Sequence, residues 1–509
     1  MLIWIGATIT VLLVGVVIYD LTQRQHAILR TFPIVGHFRY WLEAVGPELR
    51  QYIVTDNNEE RPFSRDQRTW IYASAKRQNN YFGFGSDNEM ELQPNYLIIK
   101  HDTFPLQTYH PGDAQFDPQF VIPCAKVLGS ARQRRGAFRP ASVVNISGMS
   151  FGSLSGPAVE ALNRGTKIAG CMQSTGEGGV SSHHLMGGDL VWQVGTGYFG
   201  CREPDGRFSM ARLKDTIARC PQIRAVEIKL SQGAKPGVGG LLPKAKISQE
   251  IAEIRGIPRD RDCISPAAHS EFRNADEMLD FAESIAGETG LPVGIKSAVG
   301  DSRFWEELAR LMASDNGRGV DFITIDGGEG GTGAGPLVFS DHVALPFKVA
   351  FSRVQKIFTA FGVQQRIVFV GSGKLGFPEA ALFAFALGCD LINVGREAML
   401  AIGCIQAQRC HTNHCPTGVA TQHPWLIRGV DPTLKAARLA NYVLTLRKEL
   451  ISLSRACGVP HPSLITADQL ELLDDRFGAR TIADLFGYGR GFGLPSESDC
   501  EDVRRLMRV

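Results

Sequence analysis

The chain has 509 residues, 44% of them hydrophobic and 21% charged, so it can bury a sizeable core and is too apolar for global disorder. Its 54 Lys and Arg against 52 Asp and Glu leave a net charge of +2, which excludes a polycation and argues against nucleic acid as a partner. The 55 glycines exceed the usual ~7% without a collagen period, so the surplus belongs in tight loops where backbone approaches a ligand.

Residues 1–19 carry no charged side chain; as a helix they span roughly 28 Å, close to the ~30 Å hydrocarbon core of a bilayer. Asp20 is the first charge, followed by Arg24, Arg30 and Arg39. With no basic n-region and no small-x-small cleavage site, residues 1–20 are expected to be a transmembrane anchor, with a buried hydrophobic helix or a signal peptide as alternatives. Arginines on the C-terminal side place the body at the cytoplasmic face of the inner membrane, crossed once. Residues 21–90 read as a juxtamembrane helical region, with a helical patch at Phe38–Ile53.

From 91 to 450 a β-branched run, a Gly-rich tip and a helical stretch alternate. The runs are 143–148, 171–174, 225–230, 292–296, 322–328, 366–373 and 390–395; intervening helices include Pro157–Ile168, Ala275–Thr289, Arg303–Ala313 and Pro378–Leu387. Such alternation implies a parallel sheet, and seven or more units with glycines just past each strand predict an α/β fold of the TIM (β/α)8 barrel type, its active site at those tips. Residues 451–509 are expected to form a helical extension, including Ile451–Cys457 and Ala467–Leu473.

The tips carry the chemistry. VGSGKLG (370–376) and NVGREAM (393–399) each join a strand to a helix, leaving free backbone N–H groups and Arg396 for a phosphate; ordinary Gly turns are the plain alternative. No GxGxxG with a downstream acid supports a Rossmann site. Lys229 and Lys296 sit inside apolar strands, where a cation needs an anion or a reacting group, such as a flavin ring that becomes anionic on reduction. Glu177 and Glu329 are expected to project from Gly-rich tips, and Lys235 with Arg255 suits a dicarboxylate. Eleven scattered cysteines do not make a disulfide scaffold, but Cys404, Cys410 and Cys415 cluster ahead of Pro416. Their spacing suits an iron–sulfur cluster that lacks one corner iron, or zinc with His411 or His414 as a fourth ligand.

Six segments in order resemble the FMN-binding synthase domain of glutamate synthases: 146–155, 174–179, 228–237, 264–269, 330–336 and CHTNHCPTGVATQ (410–422). The resemblance covers roughly 95–450. It implies a TIM barrel, FMN, a [3Fe-4S] cluster on Cys404, Cys410 and Cys415, and reductive amination of 2-oxoglutarate to L-glutamate. By position it assigns Glu177 and Lys235 as catalytic and substrate-binding residues, and Arg255 as substrate-binding. It places Ser147, Met149, Gln173, Lys229, Lys296, Gly328, Gly371, Gly373, Gly395 and Arg396 around FMN. Where the family often has Glu and Gln after the position of Lys235, this chain has Val238 and Leu241, and position 329 is Glu instead of Asp.

The classed enzyme resembled also has a glutaminase domain whose nucleophile follows the initiator Met. Here Met1 opens an apolar segment, so ammonia is expected free or from a separate glutaminase subunit. With no NAD(P)H-binding pattern, electrons are expected from an external donor, a ferredoxin or a reductase subunit. Alternative expectations are an N-methylglutamate synthase-like or other amine-forming enzyme, and a membrane electron-transfer subunit.

Overall fold

The computed structural model describes residues 1–23, 25–81 and 83–507, and the chain divides into two compact units, Met1–Thr69 and Trp70–Val509. Arg24, one of the arginines behind the predicted orientation, lies outside the described residues. In the first unit, Leu2–Thr22 is one helix, long and apolar enough to cross a membrane. The patch expected at Phe38–Ile53 is an α-helix over Val35–Leu49 that loosens into a π-helical turn over Arg50–Val54.

The second unit is built on a closed parallel barrel. Its strands are β1 (Val144–Ile146), β2 (Met172–Ser174), β3 (Asp189–Val194), β4 (Ile223–Lys229), β5 (Val293–Ser297), β6 (Phe322–Asp326), β7 (Val368–Ser372) and β8 (Leu391–Val394). They pair in that order, and β8 returns to β1 with Ile392 opposite Val144 and Val394 opposite Ile146. The predicted TIM barrel is therefore the fold.

β3 is the strand that the run pattern does not announce. Its sequence DLVWQV opens on an acid and carries Gln193 inward, and only a loop and the 3-10 turn Ser182–His184 separate it from β2. Gln193 is buried because its Nε2 donates to Glu227 Oε2 at 2.5 Å, while Thr324 Oγ1 donates to Glu227 Oε1 at 2.6 Å. A satisfied polar trio thus replaces the alternation that marks a strand.

The surrounding helices start on side-chain caps. Ser155 Oγ accepts from Ala158 N ahead of Gly156–Ala169, Asn274 Oδ1 accepts from Glu277 N ahead of Ala275–Thr289, and Asp431 Oδ1 accepts from Leu434 N ahead of Pro432–Ala456. The last of these packs on Gly156–Ala169 so closely that a Cβ on Gly165 would lie 2.8 Å from Ala436 O. Ile451–Cys457, expected as a separate helix, is the end of this 25-residue one.

Ala467–Leu473 is not a helix. A 3-10 turn over Ala467–Gln469 runs into a strand, Leu470–Leu473, which pairs antiparallel with Tyr96–Ile99 and with Ala479–Thr481. A partner some 370 positions away in sequence overrides the local helical preference.

Candidate active site

Strand geometry brings the lysines to the mouth. Lys229 ends β4, Lys296 lies one residue before the end of β5, and the two are directly opposite in register. Two buried ammonium groups side by side repel each other unless each has an anion. Each has one: Lys229 Nζ lies 2.9 Å from Glu177 Oε1, and Lys296 Nζ lies 3.4 Å from Asp326 Oδ2. Burial works against the Lys296 ammonium, but Asp326, Glu227 and Glu177 outweigh it and raise its pKa.

Glu177 reaches Lys229 because the loop after β2 folds tightly over the loop after β1. At Gly176, with φ +68°, a Cβ would lie 2.5 Å from Ser150 N; at Gly178 it would lie 2.9 Å from Arg255 Nη2. Burial raises the Glu177 carboxyl, but Lys229 first, then Lys235 and Arg255, hold it below the usual carboxylate range.

Lys235 and Arg255 are both buried, at 5% exposure each. Lys235 Nζ donates to Ala334 O at 3.1 Å and Gly239 O at 3.4 Å. Arg255 Nη2 donates to Phe151 O at 3.0 Å and Ser150 Oγ at 3.3 Å, and its guanidinium lies 5.2 Å from the Phe199 ring centroid. Neither has a carboxylate ion pair among the described residues, and burial lowers the pKa of both. At the mouth, Lys229 and Lys296 are thus paired with Glu177 and Asp326, while Lys235 and Arg255 have no carboxylate ion pair among the described residues.

The remaining predicted positions divide. Ser147 follows β1, and its backbone N donates to Val394 O at 2.9 Å; a Cβ on Gly395 would lie 3.5 Å from its side chain. That closes the barrel seam where the end of β7 (Gly371), the tip after it (Gly373) and the tip after β8 (Gly395, Arg396) meet. Gly373 has φ +140°, and a Cβ there would lie 3.3 Å from Gly327. Arg396 Nη2 donates to Glu329 O, and Gly328 N donates to Leu345 O at 2.9 Å. Met149 is half-buried on the loop after β1. Gln173 points away from the seam: its Oε1 accepts from Asn163 Nδ2, in the helix Gly156–Ala169, at 2.9 Å. Ser174 Oγ, its neighbour, is buried with no partner among the described residues. Glu329 turns its carboxylate to the backbone: both its oxygens accept from Phe347 N, at 2.8 and 3.0 Å, at the start of the helix Phe347–Ala360.

Sequence reasoning missed three supports. Asp326 serves Lys296 and also accepts from Gly233 N at 2.9 Å, tying the loops after β4 and β6. Gln232 accepts from Lys229 Nζ at 3.1 Å and donates to Gly331 O at 2.9 Å. His269 bonds Lys229 O through Nε2 at 2.9 Å and Tyr198 Oη through Nδ1 at 3.0 Å, and burial lowers its pKa to about 4. Its place in the segment 264–269 was the available signal.

In the cysteine segment, burial raises Cys415, but backbone N–H groups of Ala420, Thr417 and Val419 and the Thr417 hydroxyl, 3.5 Å away, outweigh it and lower its pKa. Burial and the neighbouring Cys415 raise Cys410. Lys246 is buried against the segment, donating to Cys410 O at 3.2 Å and Ser153 O at 2.5 Å. Tyr72 Oη donates to Cys404 O at 2.8 Å. Among the described residues, no group of three His, Cys, Asp or Glu side chains is gathered as a metal site.

Fold and site together define a TIM-barrel protein with buried cations at its mouth. The conserved region in glutamate synthase matches residues 125–460. The chain is 39% identical over 482 residues to the glutamate synthase large subunit-like protein YerD of Bacillus subtilis, covering 89% of this chain and 91% of that one. It is 34% identical over 319 residues to the archaeal glutamate synthase [NADPH] of Methanocaldococcus jannaschii, covering 62% of this chain and 59% of that one. Among solved structures, flavocytochrome b2 with sulfite bound superposes with a TM-score of 0.43 at 13% identity, over 92% of this chain and 90% of that one. The chain belongs to the glutamate synthase family.

Proposed function

We propose that this protein is an FMN-dependent oxidoreductase that aminates 2-oxoglutarate reductively to L-glutamate. One observation carries the reading: Lys235 and Arg255 are buried at the barrel mouth without a carboxylate partner, beside the Glu177–Lys229 pair. A buried cation without an anion is costly, so the site is built to receive a dianion, and two separated cations fit two carboxylates.

The residues also fit FMN. The tips at Gly371–Gly373 and Gly395–Arg396 suit its phosphate, and Lys296 and Lys229 suit its ring; the unpartnered Ser174 Oγ awaits a bond at the end of β2. When bound, FMN supplies the hydride for an imine. The protein's own groups divide the remaining work. Glu177 is held ionised by Lys229, so it orients a substrate N–H and does not donate a proton at neutral pH. Lys235 holds the carboxylate next to the reacting carbonyl and, its pKa lowered by burial, gives a proton from the same Nζ to the oxygen that leaves as water. Arg255 stays a fixed charge on a substrate carboxylate.

Cys404, Cys410 and Cys415 fit a [3Fe-4S] cluster in the chemistry of their donors, with hydrogen bonds around Cys415 lowering its pKa, and such a cluster would take electrons from a ferredoxin or reductase subunit. Ammonia comes free or from a separate glutaminase subunit. Leu2–Thr22 anchors the protein at the cytoplasmic face of the inner membrane.

The test is anaerobic: the purified protein is reduced, and flavin reoxidation is followed with 2-oxoglutarate, ammonia, or both. Reoxidation only with both, and glutamate in the products, supports the reading; a flavin that stays reduced overturns it. A second reading, an N-alkyl amine such as methylamine as nitrogen source, rests on Val238 and Leu241. Both are exposed and apolar, and they flank Gly240, where a Cβ would lie 2.7 Å from Glu177 Oε1. Faster reoxidation with methylamine than with ammonia decides for it.

A further inference from the structure

We infer that the helix Val35–Leu49 lies in the membrane surface, its apolar side in the boundary between headgroups and acyl chains, and so gives the protein a second contact with the lipid. The inference rests on Leu2–Thr22 being the membrane span proposed above. All of its evidence lies in the unit Met1–Thr69.

The corner between the two helices is fixed. Asp20, in the last turn of Leu2–Thr22, is fully buried. Its Oδ2 accepts from Ile34 N at 2.9 Å, and its Oδ1 lies 2.8 Å from His37 Nε2. A Cβ on Gly36 would lie 3.1 Å from Leu29 Cδ2 and 3.2 Å from Ile28 O, so the helix start is packed on the short helix Ala27–Thr31. The start of Val35–Leu49 is thereby held at the depth of Asp20. That depth is the membrane surface, because residues 1–19 carry no charged side chain, Asp20 is the first charge after them, and the exposed Tyr19 precedes it as an interfacial aromatic.

Along its apolar side the helix is exposed, with Val45 half-buried. At ~100° per residue, Val35, Phe38, Trp41, Leu42, Val45 and Leu49 fall within about 120° of arc. Phe38 is 60% exposed and Trp41 57%, their rings stacked with centroids 5.8 Å apart; Val35, Leu42 and Leu49 are exposed too. Fifteen residues span only ~22 Å, too short to cross a bilayer. The helix does not run back along Leu2–Thr22, which leaves the lipid surface beside the span as the apolar medium within reach.

Charge chooses the lipid. Between 25 and 54, Arg30, Arg39 and Arg50 stand against Glu43 and Glu48, and Arg39 Nε pairs with Glu43 Oε1 at 2.9 Å. This near-neutral helix gains little from anionic headgroups, so the apolar stripe drives the contact and zwitterionic phosphatidylcholine suffices.

The experiment uses the full chain in phosphatidylcholine nanodiscs brominated at shallow or deep acyl positions. Emission of wild type minus Trp41→Phe isolates Trp41; wild type minus Trp4→Phe isolates Trp4, which reports the span. The expected result is Trp41 emission quenched about twofold more by shallow than by deep bromines, unchanged by adding anionic lipid or by raising salt. Trp4 quenched and Trp41 not quenched overturns the inference while the anchor stands, and means that a protein or a second copy covers the stripe. Neither quenched overturns the anchor itself. Trp41 quenching that needs anionic lipid overturns the apolar basis.

Discussion

The two ends of the barrel both bury charge, but they balance it differently. At the N-terminal end, Arg134 holds Glu283 through two bonds of 2.7 Å and Asp321 through Nε at 3.0 Å, and Arg132 Nη1 lies 3.5 Å from Asp321. Asp321 also accepts from Val293 N at 2.9 Å, so two guanidiniums meet two carboxylates and the charges balance, although Arg132 Nε and Nη2 have no hydrogen-bond partner among the described residues. Lys126 and Asp390 form a further buried pair there at 3.0 Å. At the C-terminal mouth, Lys229 and Lys296 are paired with Glu177 and Asp326, but Lys235 and Arg255 have no carboxylate ion pair among the described residues. The closed network is framework; the open one has affinity to spare for an anion. Both are buried charge clusters, and only the accounting of partners separates scaffold from site.

The sharpest way to break this comparison is to unbalance the framework. Arg134→Ala leaves Asp321 and Glu283 short of their cation, and stability should fall by about 3–5 kcal/mol in denaturant unfolding, with KM for 2-oxo acid unchanged in the protein that still folds. Removing a mouth cation should do the reverse. Lys235→Met deletes a buried charge that has only carbonyl partners, so unfolding should shift by less than with Arg134→Ala. The apparent KM for 2-oxoglutarate should rise about tenfold to a hundredfold, the worth of one charge-assisted hydrogen bond. Equal stability losses at the two positions would erase the distinction.

Much of this contrast was legible in the sequence, for a physical reason. A lysine inside an apolar strand is conspicuous, and a run such as AVEIKL fixes both the strand and the end at which the charge emerges. Glu177, Lys235 and Arg255 were found as residue types on Gly-rich tips, and the fold brings them together. What escaped depends on long-range partners. Asp326 looks like the end of a strand until Lys296 and Gly233 are seen beside it. β3 lacks an apolar run because Gln193 is satisfied by Glu227, and Leu470–Leu473 is a strand because Tyr96–Ile99 offers it an edge. Gln173 faces a helix because alternation along β2 points it away from its neighbours Met172 and Ser174, a direction that a motif alone does not give.

Acid offers a milder probe of both regions. Burial lowers His269 at the mouth and His461 in the framework to about 4 from the usual ~6.5. His461 Nε2 donates to Pro123 O at 2.8 Å while its Nδ1 accepts from Ser463 N at 3.0 Å, an arrangement that needs the neutral ring. Below ~6.5 the unfolded chain takes up a proton that the folded one refuses until about 4, so stability is lost as pH falls through that window. Replacing either residue by Gln should flatten the slope of unfolding free energy by about 1.4 kcal/mol per pH unit within it. Only His269→Gln should also slow turnover, since His269 holds the backbone of Lys229. A slope untouched by both substitutions would mean that these rings protonate in the fold.

The smallest effect sharpens the comparison within the mouth itself. Glu177 and Glu329 are both acids on Gly-rich tips, yet Glu329 spends its carboxylate on Phe347 N, and burial raises its pKa. Its task is that of an acceptor at a helix start, which a neutral amide oxygen can also perform. Glu329→Ala should therefore lower stability by about 1 kcal/mol in denaturant unfolding, and Glu329→Gln should restore most of that loss. Glu177→Gln should be unlike either: the amide cannot neutralise Lys229, and turnover should fall in a variant that remains folded. If Glu329→Gln instead lost turnover as Glu177→Gln does, Glu329 would belong with the substrate, and the charge balance of the mouth would have to be redrawn to include it.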